Sequence, residues 1–352
     1  MLIPNSQLCQ WVAESSVRAN ARNSEHIRQI IDTFEHTGLA VDSNSEKSKC
    51  IQNIANAHRE LIVGSAYSEL ERTVIFGVSA PQCDAFPMYY QETPCIIVFD
   101  GLLQLVRFNT NLQILIALLN EKVTEQTIDV NGERMSIALA MSLAGHVALT
   151  ESIDAGHQLM DITAVFGPNA MQRSEYGYGA AVIFYVLHEL GHLVCGHLDQ
   201  GFVSEQMSID TAVREGINKN QKMEFEADSY ALSCIHPNVR NPIISSLVFA
   251  LGPFAFLETF RGGLDKNHPL TVNRIAELAR QVDFPDEPEF AEAVLSVVTS
   301  EIKRFERLAE DRRLNDGNIQ QRIRNTMTLP MAYETMNKVG NHIKENFGTL
   351  DF

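Results

Sequence analysis

Apolar positions recur at helical spacing through most of the chain. "SEHIRQIIDTFEHTGL" (24–39) has that spacing and a stop signal at Gly38. "RTVIFGVS" (72–79) and "CIIVFD" (95–100) are short β-rich runs, the second bounded by Pro94 and Gly101. "GLLQLVRFNTNLQILIALLNEKV" then predicts helix, and "DVNGER" (129–134) predicts a turn centred on Asn131-Gly132. Helix resumes from Met135, and long helical patterns alternate with polar loops after residue 175. "FPDEPEF" (284–290) reads as a linker, and a charged helical tail with "SEIKRFERLAEDRRL" follows it. The pattern predicts an α+β protein, mainly helical with a small sheet. The expected organisation is an N-terminal helical region (1–75), a core (76–283) with a helical insertion at about 105–175, and a C-terminal helical tail (284–352).

Two apolar segments invite a membrane test. "IISSLVFALGPFAFLETF" (243–260) carries Gly252, Pro253 and Glu258, and "GAAVIFYVLHELGHLVCGH" (179–197) carries three histidines and a glutamate. Neither is a clean apolar run of about 20 residues, so both are expected to be buried helices, with no stable membrane insertion. The formal net charge of −16 argues against nucleic-acid partners. Six scattered cysteines without a CxxC pair, and no signal-peptide pattern, predict a reduced, cytoplasmic protein.

One apolar segment holds chemistry. In "VLHELGHLVCGHLDQ" (186–200), His188 and His192 are four residues apart and share a helical face. Both imidazoles can point at one ion, and Glu189 can reach a water the metal activates, which is the HExxH arrangement. Burying these groups among apolar neighbours is costly unless something pairs them. Zn²⁺, one per chain, is the expected ion, and it calls for a third protein ligand. A metzincin would place histidine where Leu198 stands, so that class is excluded. His197, about 500° round the helix from His192, is expected to be a supporting or structural residue. Cys195 is expected to be a packed thiol off the ligand face.

The third ligand is expected from "KMEFEADSYALSCI", which starts 30 residues after His192. Glu224 and Asp228 share a face, while Glu226 points about 200° away from Glu224. Glu224 can bind the metal, and Asp228 can accept the free ring N–H of a ligand histidine. Ala227 and the apolar "YAL" after it predict that this helix packs on the first.

These residues resemble the M48 group of zinc metallopeptidases, gluzincins that include the HtpX-like, CaaX-prenyl-protease-like and Oma-like proteins. "HELGHLVCGH" is similar to that group's HExxHxxxxH, and "EFEAD" to its ExxxD, whose first Glu is the third zinc ligand. "NHPLTVNRIAEL" (267–278) is similar to its late His-Pro segment, which maps to His268 and Arg274. "CDAFPMYYQETPCIIVFDGLL" (83–103) is similar to its Asn-Ala-Phe stretch, edge strand and Gly-Leu-Leu, with Asp84 in place of the Asn. The resemblance implies a zincin-like core with an edge strand near 95–100 to which an extended substrate could add. It implies an endopeptidase acting on protein substrates. Glu189 would be the base, His268 an oxyanion donor, and Arg274 a partner of Glu224 or of substrate. The long gap before HExxH is what marks 105–175 as an insertion, and a regulatory protein partner could act there. Lit-type phage-exclusion proteases also pair HExxH with a distant acidic helix and are the alternative relatives. A non-catalytic zinc scaffold for a partner protein is the alternative of another class. Tyr176 and Tyr178, just before the active helix, could touch substrate, though packing is the commoner role; His146 and His157 receive no role.

Overall fold

The computed structural model describes residues 1–3, 41–79, 85–122, 126–130, 133–137, 140, 141, 144, 145, 147, 148, 161–198, 219–237, 251, 274, 277, 278, 281 and 328–352. A short antiparallel pair, β1 (Leu2–Ile3) with β2 (Val41–Asp42), precedes α1 (Glu46–Ala57) and α2 (Gly64–Arg72). Ser45 opens α1, its hydroxyl accepting from the backbone N–H of Ser48. Three strands follow: β3 (Val74–Val78), β4 (Ala85–Tyr90) and β5 (Thr93–Phe99). Next come α3 (Asp100–Lys122) and the hairpin β6 (Thr127–Val130) with β7 (Glu133–Ser136). The remaining described helices are α4 (Pro168–Val194), α5 (Lys219–Ser233) and α6 (Leu329–Phe347). The described architecture is therefore mainly helical with a small mixed sheet, an α+β protein.

The sheet order is β3-β5-β4, with β3 parallel and β4 antiparallel to β5. This corrects one expectation: the strand near 95–100 is the centre of the sheet, not its edge. The edge nearer the HExxH helix is β4, which packs against α4. Proline at position 87 suits an edge strand, because it has no N–H to give to a further ladder. The β4–β5 turn holds Gln91 and Glu92 at φ 48° and 69°. Both central residues are left-handed, the geometry of a tight hairpin turn, but neither is the Gly or Asn that usually marks one. The turn at 129–134 does close a hairpin, with Val130 opposite Glu133. So the 105–175 segment holds strand as well as helix.

Two apolar cores lie side by side. One gathers α1, α2, the sheet, α4 and α5 around residues such as Ile51, Leu70, Ile96, Phe184 and Leu232. The other joins the second half of α3 to α6, with Phe108, Leu112, Val165, Met336 and Ile343. Helices α3 and α4 contribute to both. From Gly177 to Leu193 every residue of α4 is buried, which is why its apolar pattern runs all round the helix rather than along one stripe.

The start of α4 is tied to residues far along the chain. Phe166 forms a parallel bridge with Leu350, and the Gly167 N–H donates to the Leu350 carbonyl at 2.6 Å. The Asp351 carboxylate accepts from the Ala170 N–H at 2.6 Å, capping a helix whose own N-cap, Gly167, has no side chain to offer.

Of the two segments tested for a membrane, 179–197 lies mostly in buried α4; 243–260 falls outside the described residues except for buried Leu251. Among the described helices, Asp100–Leu119 is long and apolar enough to cross a membrane, and 67% of that stretch is buried inside the protein. The segments 24–39, 284–290 and 300–314 lie outside the described residues.

Candidate metal centre

The HExxH segment sits near the C-terminal end of α4, in the helix interior of the first core. His188 and His192 point the same way one turn apart, and their Nε2 atoms are 3.1 Å from each other. Both rings are buried, as is Glu189 beside them.

Helix α5 lies against this face because two small residues meet. A Cβ placed on Gly191 would come within 3.0 Å of the Ala227 Cα and 3.1 Å of its carbonyl oxygen. Glycine lets the two backbones approach this closely, where a Cβ would make its neighbour give by a few tenths of an ångström. Glu224 and Asp228 lie three residues before and one after Ala227, so the same approach delivers both carboxylates to the histidines. His188 Nε2 is 3.3 Å from Glu224 Oε2, and His192 Nε2 is 3.6 Å from Oε1. One ligand atom each from His188, His192 and Glu224 lies within 4.8 Å of the others.

Asp228 turns the outer face of His188. Its Oδ1 accepts from His188 Nδ1 at 2.9 Å, which leaves Nε2 to face the centre. Arg274 Nε and Nη2 donate to the two oxygens of Asp228, each at 2.7 Å. Arg274 Nη1 is also 3.7 Å from Glu224 Oε2. Burial pushes the Asp228 carboxyl upward, but the Arg274 guanidinium and the His188 contact outweigh it and hold it below the usual carboxylate range.

The other ligand histidine has a different neighbour. Helix α4 ends at Val194, and Gly196 adopts φ +68°. The Gly196 N–H then donates to the Leu193 carbonyl at 3.2 Å and the His197 N–H to the His192 carbonyl at 3.0 Å. This is the Schellman closure, which a glycine at that position permits. It folds His197 back onto His192, Nδ1 to Nδ1 at 2.9 Å, while His197 Nε2 lies 3.1 Å from Glu226 Oε2. The wheel angle predicted for His197 does not apply, because the helix has already stopped. Glu226 does point away from the three donors, as expected, yet it meets the residue that supports one of them. The sequence held one signal for this, the glycine immediately before His197.

The donor set fits a divalent ion. The two imidazole nitrogens are 3.1 Å apart and each has an oxygen of the Glu224 carboxylate nearby, Oε2 at 3.3 Å from His188 and Oε1 at 3.6 Å from His192, close enough for one ion to reach all three residues. The electrostatics agree. Burial pushes the His188 imidazole down, but its hydrogen bonds to Asp228 and Glu224 carry its pKa up to about 10. The carboxylates thus favour positive charge at this point, and a cation there would replace the proton. Burial pushes His192 down to about 3, against the upward pull of Glu224, so it is held in the neutral, ligating form.

His268 lies outside the described residues, as do His146 and His157. Tyr176 is 39% exposed, whereas Tyr178 is buried with the Arg107 guanidinium 3.7 Å over its ring. Cys195, predicted as a packed thiol, is exposed, because it caps the helix end where the chain turns outward.

The Peptidase U49 family model matches residues 174–294. That stretch contains His188, Glu189, His192, Glu224, Asp228 and Arg274, and the match supports a peptidase. No curated protein and no solved structure matches the chain.

Proposed function

We propose that the protein is a zinc-dependent endopeptidase that hydrolyses peptide bonds in protein substrates, with a gluzincin-type, zincin-like centre of the M48 kind. The observation that carries this is the convergence of His188, His192 and Glu224, all buried, with the buried Glu189 next to His188 in the chain. The peptidase family match over the same residues supports it.

His188, His192 and Glu224 would hold Zn²⁺, about one per chain. When bound, the ion would supply a Lewis acid for both water and the scissile carbonyl. Glu189 takes a proton from the attacking water and returns it to the leaving amine nitrogen. Asp228 keeps the proton of His188 on Nδ1, and Arg274 balances the two carboxylates that crowd the centre. His268 is assigned the oxyanion by resemblance alone. An extended substrate is proposed to add to the outer side of β4, with which no described strand pairs, in place of the central β5. The acidic balance and the free thiols at Cys50, Cys95, Cys195 and Cys234 support a cytoplasmic site of action on polypeptides, without nucleic acid or membrane insertion. The segment 105–175 is where a regulatory protein partner would act.

The test compares the wild type with Glu189→Gln in the host, scoring newly formed peptide termini and bound zinc. Both proteins should carry the metal, and only the wild type should generate new termini. Equal sets of termini from both would remove the catalytic claim and leave a zinc scaffold.

A further inference from the structure

We propose that His197 and Glu226 act as positioning residues for the ligand His192, forming a two-step relay that fixes which ring nitrogen of His192 faces the metal. The inference rests on the metal reading above and goes beyond it, because it concerns residues outside the donor set.

Proton counting fixes the orientation of the pair. His192 and His197 meet Nδ1 to Nδ1 at 2.9 Å, so a hydrogen bond there needs a proton on one nitrogen and a lone pair on the other. If His192 is to offer its Nε2 lone pair to an ion, its proton sits on Nδ1 and is donated to His197. His197 must then carry its own proton on Nε2. There it finds Glu226 Oε2 at 3.1 Å, a carboxylate that only accepts. With a single proton on the His197 ring, the opposite arrangement fails at both ends. A proton on His197 Nδ1 would set an Nε2 lone pair against the Glu226 carboxylate. It would also force the His192 proton onto Nε2, where the ion would be. Glu226 therefore selects the ligating tautomer of His192 from two bonds away.

Three further features support the relay. Both rings are 1% exposed, so water has little access to stand in for a lost partner. Gly196, at φ +68°, places His197 on His192 through the backbone rather than by chance contact. Glu226 is 46% exposed and 3.6 Å from Lys222, so the relay ends at the surface of α5, where a substitution disturbs no core packing.

Zinc affinity, measured by competition against a chelating dye, reads the relay directly. Glu226→Ala is expected to bind zinc about 10-fold more weakly, and His197→Phe 10–100-fold more weakly, as losses of such supporting partners generally do. The double variant should be no weaker than His197→Phe alone, because the two act in series. Glu226→Asp, which keeps an acceptor, should recover part of the loss. In zinc-loaded wild type, nitrogen-detected NMR should place the His197 ring proton on Nε2. The apo Glu226→Ala protein should stay folded with only a slightly lower melting point, so that affinity is compared between folded proteins. Wild-type affinity in Glu226→Ala, or a His197 proton on Nδ1, overturns the relay alone. A wild type without zinc affinity overturns both the relay and the metal reading.

Discussion

The two candidate ligand histidines sit one turn apart on one helix, yet the protein holds them by opposite means. His188 rests on Asp228, a buried carboxylate fastened by two 2.7 Å bonds from Arg274, which is 11% exposed. His192 rests on the His197 imidazole, whose own partner, Glu226, is at the surface. The first flank is an ion network in the interior. Removing one member strands a charge away from water, which is far more costly than losing the pair as a whole. The second flank keeps its carboxylate, Glu226, at the surface, and losing it removes one partner from the buried His197 ring. Substitutions on the Asp228 side are therefore expected to cost more folding stability than those on the His197 side.

Substitutions on the first flank should show the largest effect. Arg274→Leu removes the guanidinium from Asp228 and Glu224, leaving them to His188, and is expected to destabilise the metal-free protein by about 3–5 kcal/mol, read by urea denaturation. A change under 1 kcal/mol would mean the network is not balanced as described. Next comes the ion itself. Zinc held at about 100 times its dissociation constant should stabilise the wild type by about 2.7 kcal/mol, and a chelator should reverse the gain. Identical melting curves with and without chelator would contradict the donor set. Gly196→Ala forces a side chain into the left-handed region and should cost about 1–2 kcal/mol. It should also weaken zinc binding by displacing His197, so unaltered affinity would separate the turn from the relay. The smallest effect belongs to the far end of the same helix. Asp351→Ala removes the cap from Ala170 and should cost about 1 kcal/mol in thermal unfolding while leaving zinc affinity unchanged.

Much of the centre could be read from spacing. The i, i+4 pairs His188/His192 and Glu224/Asp228 each fall on one helix, and Ala227 marks where the helices touch. Helical periodicity serves such pairs well because it holds inside a helix. It fails at His197, where the helix has ended and a glycine reverses the chain. It is silent on Glu226, which faces a residue from another segment. The sheet was less legible. Strand β4 contains a proline and leads into a turn built from Gln91 and Glu92, so neither the strand nor the hairpin carries its usual composition, and β5 reads as an edge. The pairing of Phe166 with Leu350 leaves no local trace at all, since nothing in either sequence names the other.

That last pairing sets an order of assembly. Ala170 finds its cap 181 positions further along the chain. Every proposed ligand and charge partner, from His188 to Arg274, leaves the ribosome before Asp351 does, because synthesis is vectorial. Filling of the proposed metal centre and helix sealing are thus expected to be separable in time. A nascent chain stalled beyond Arg274 but short of Leu350 is expected to bind zinc while the first turn of α4 still frays, which protease sensitivity near Pro168 would report.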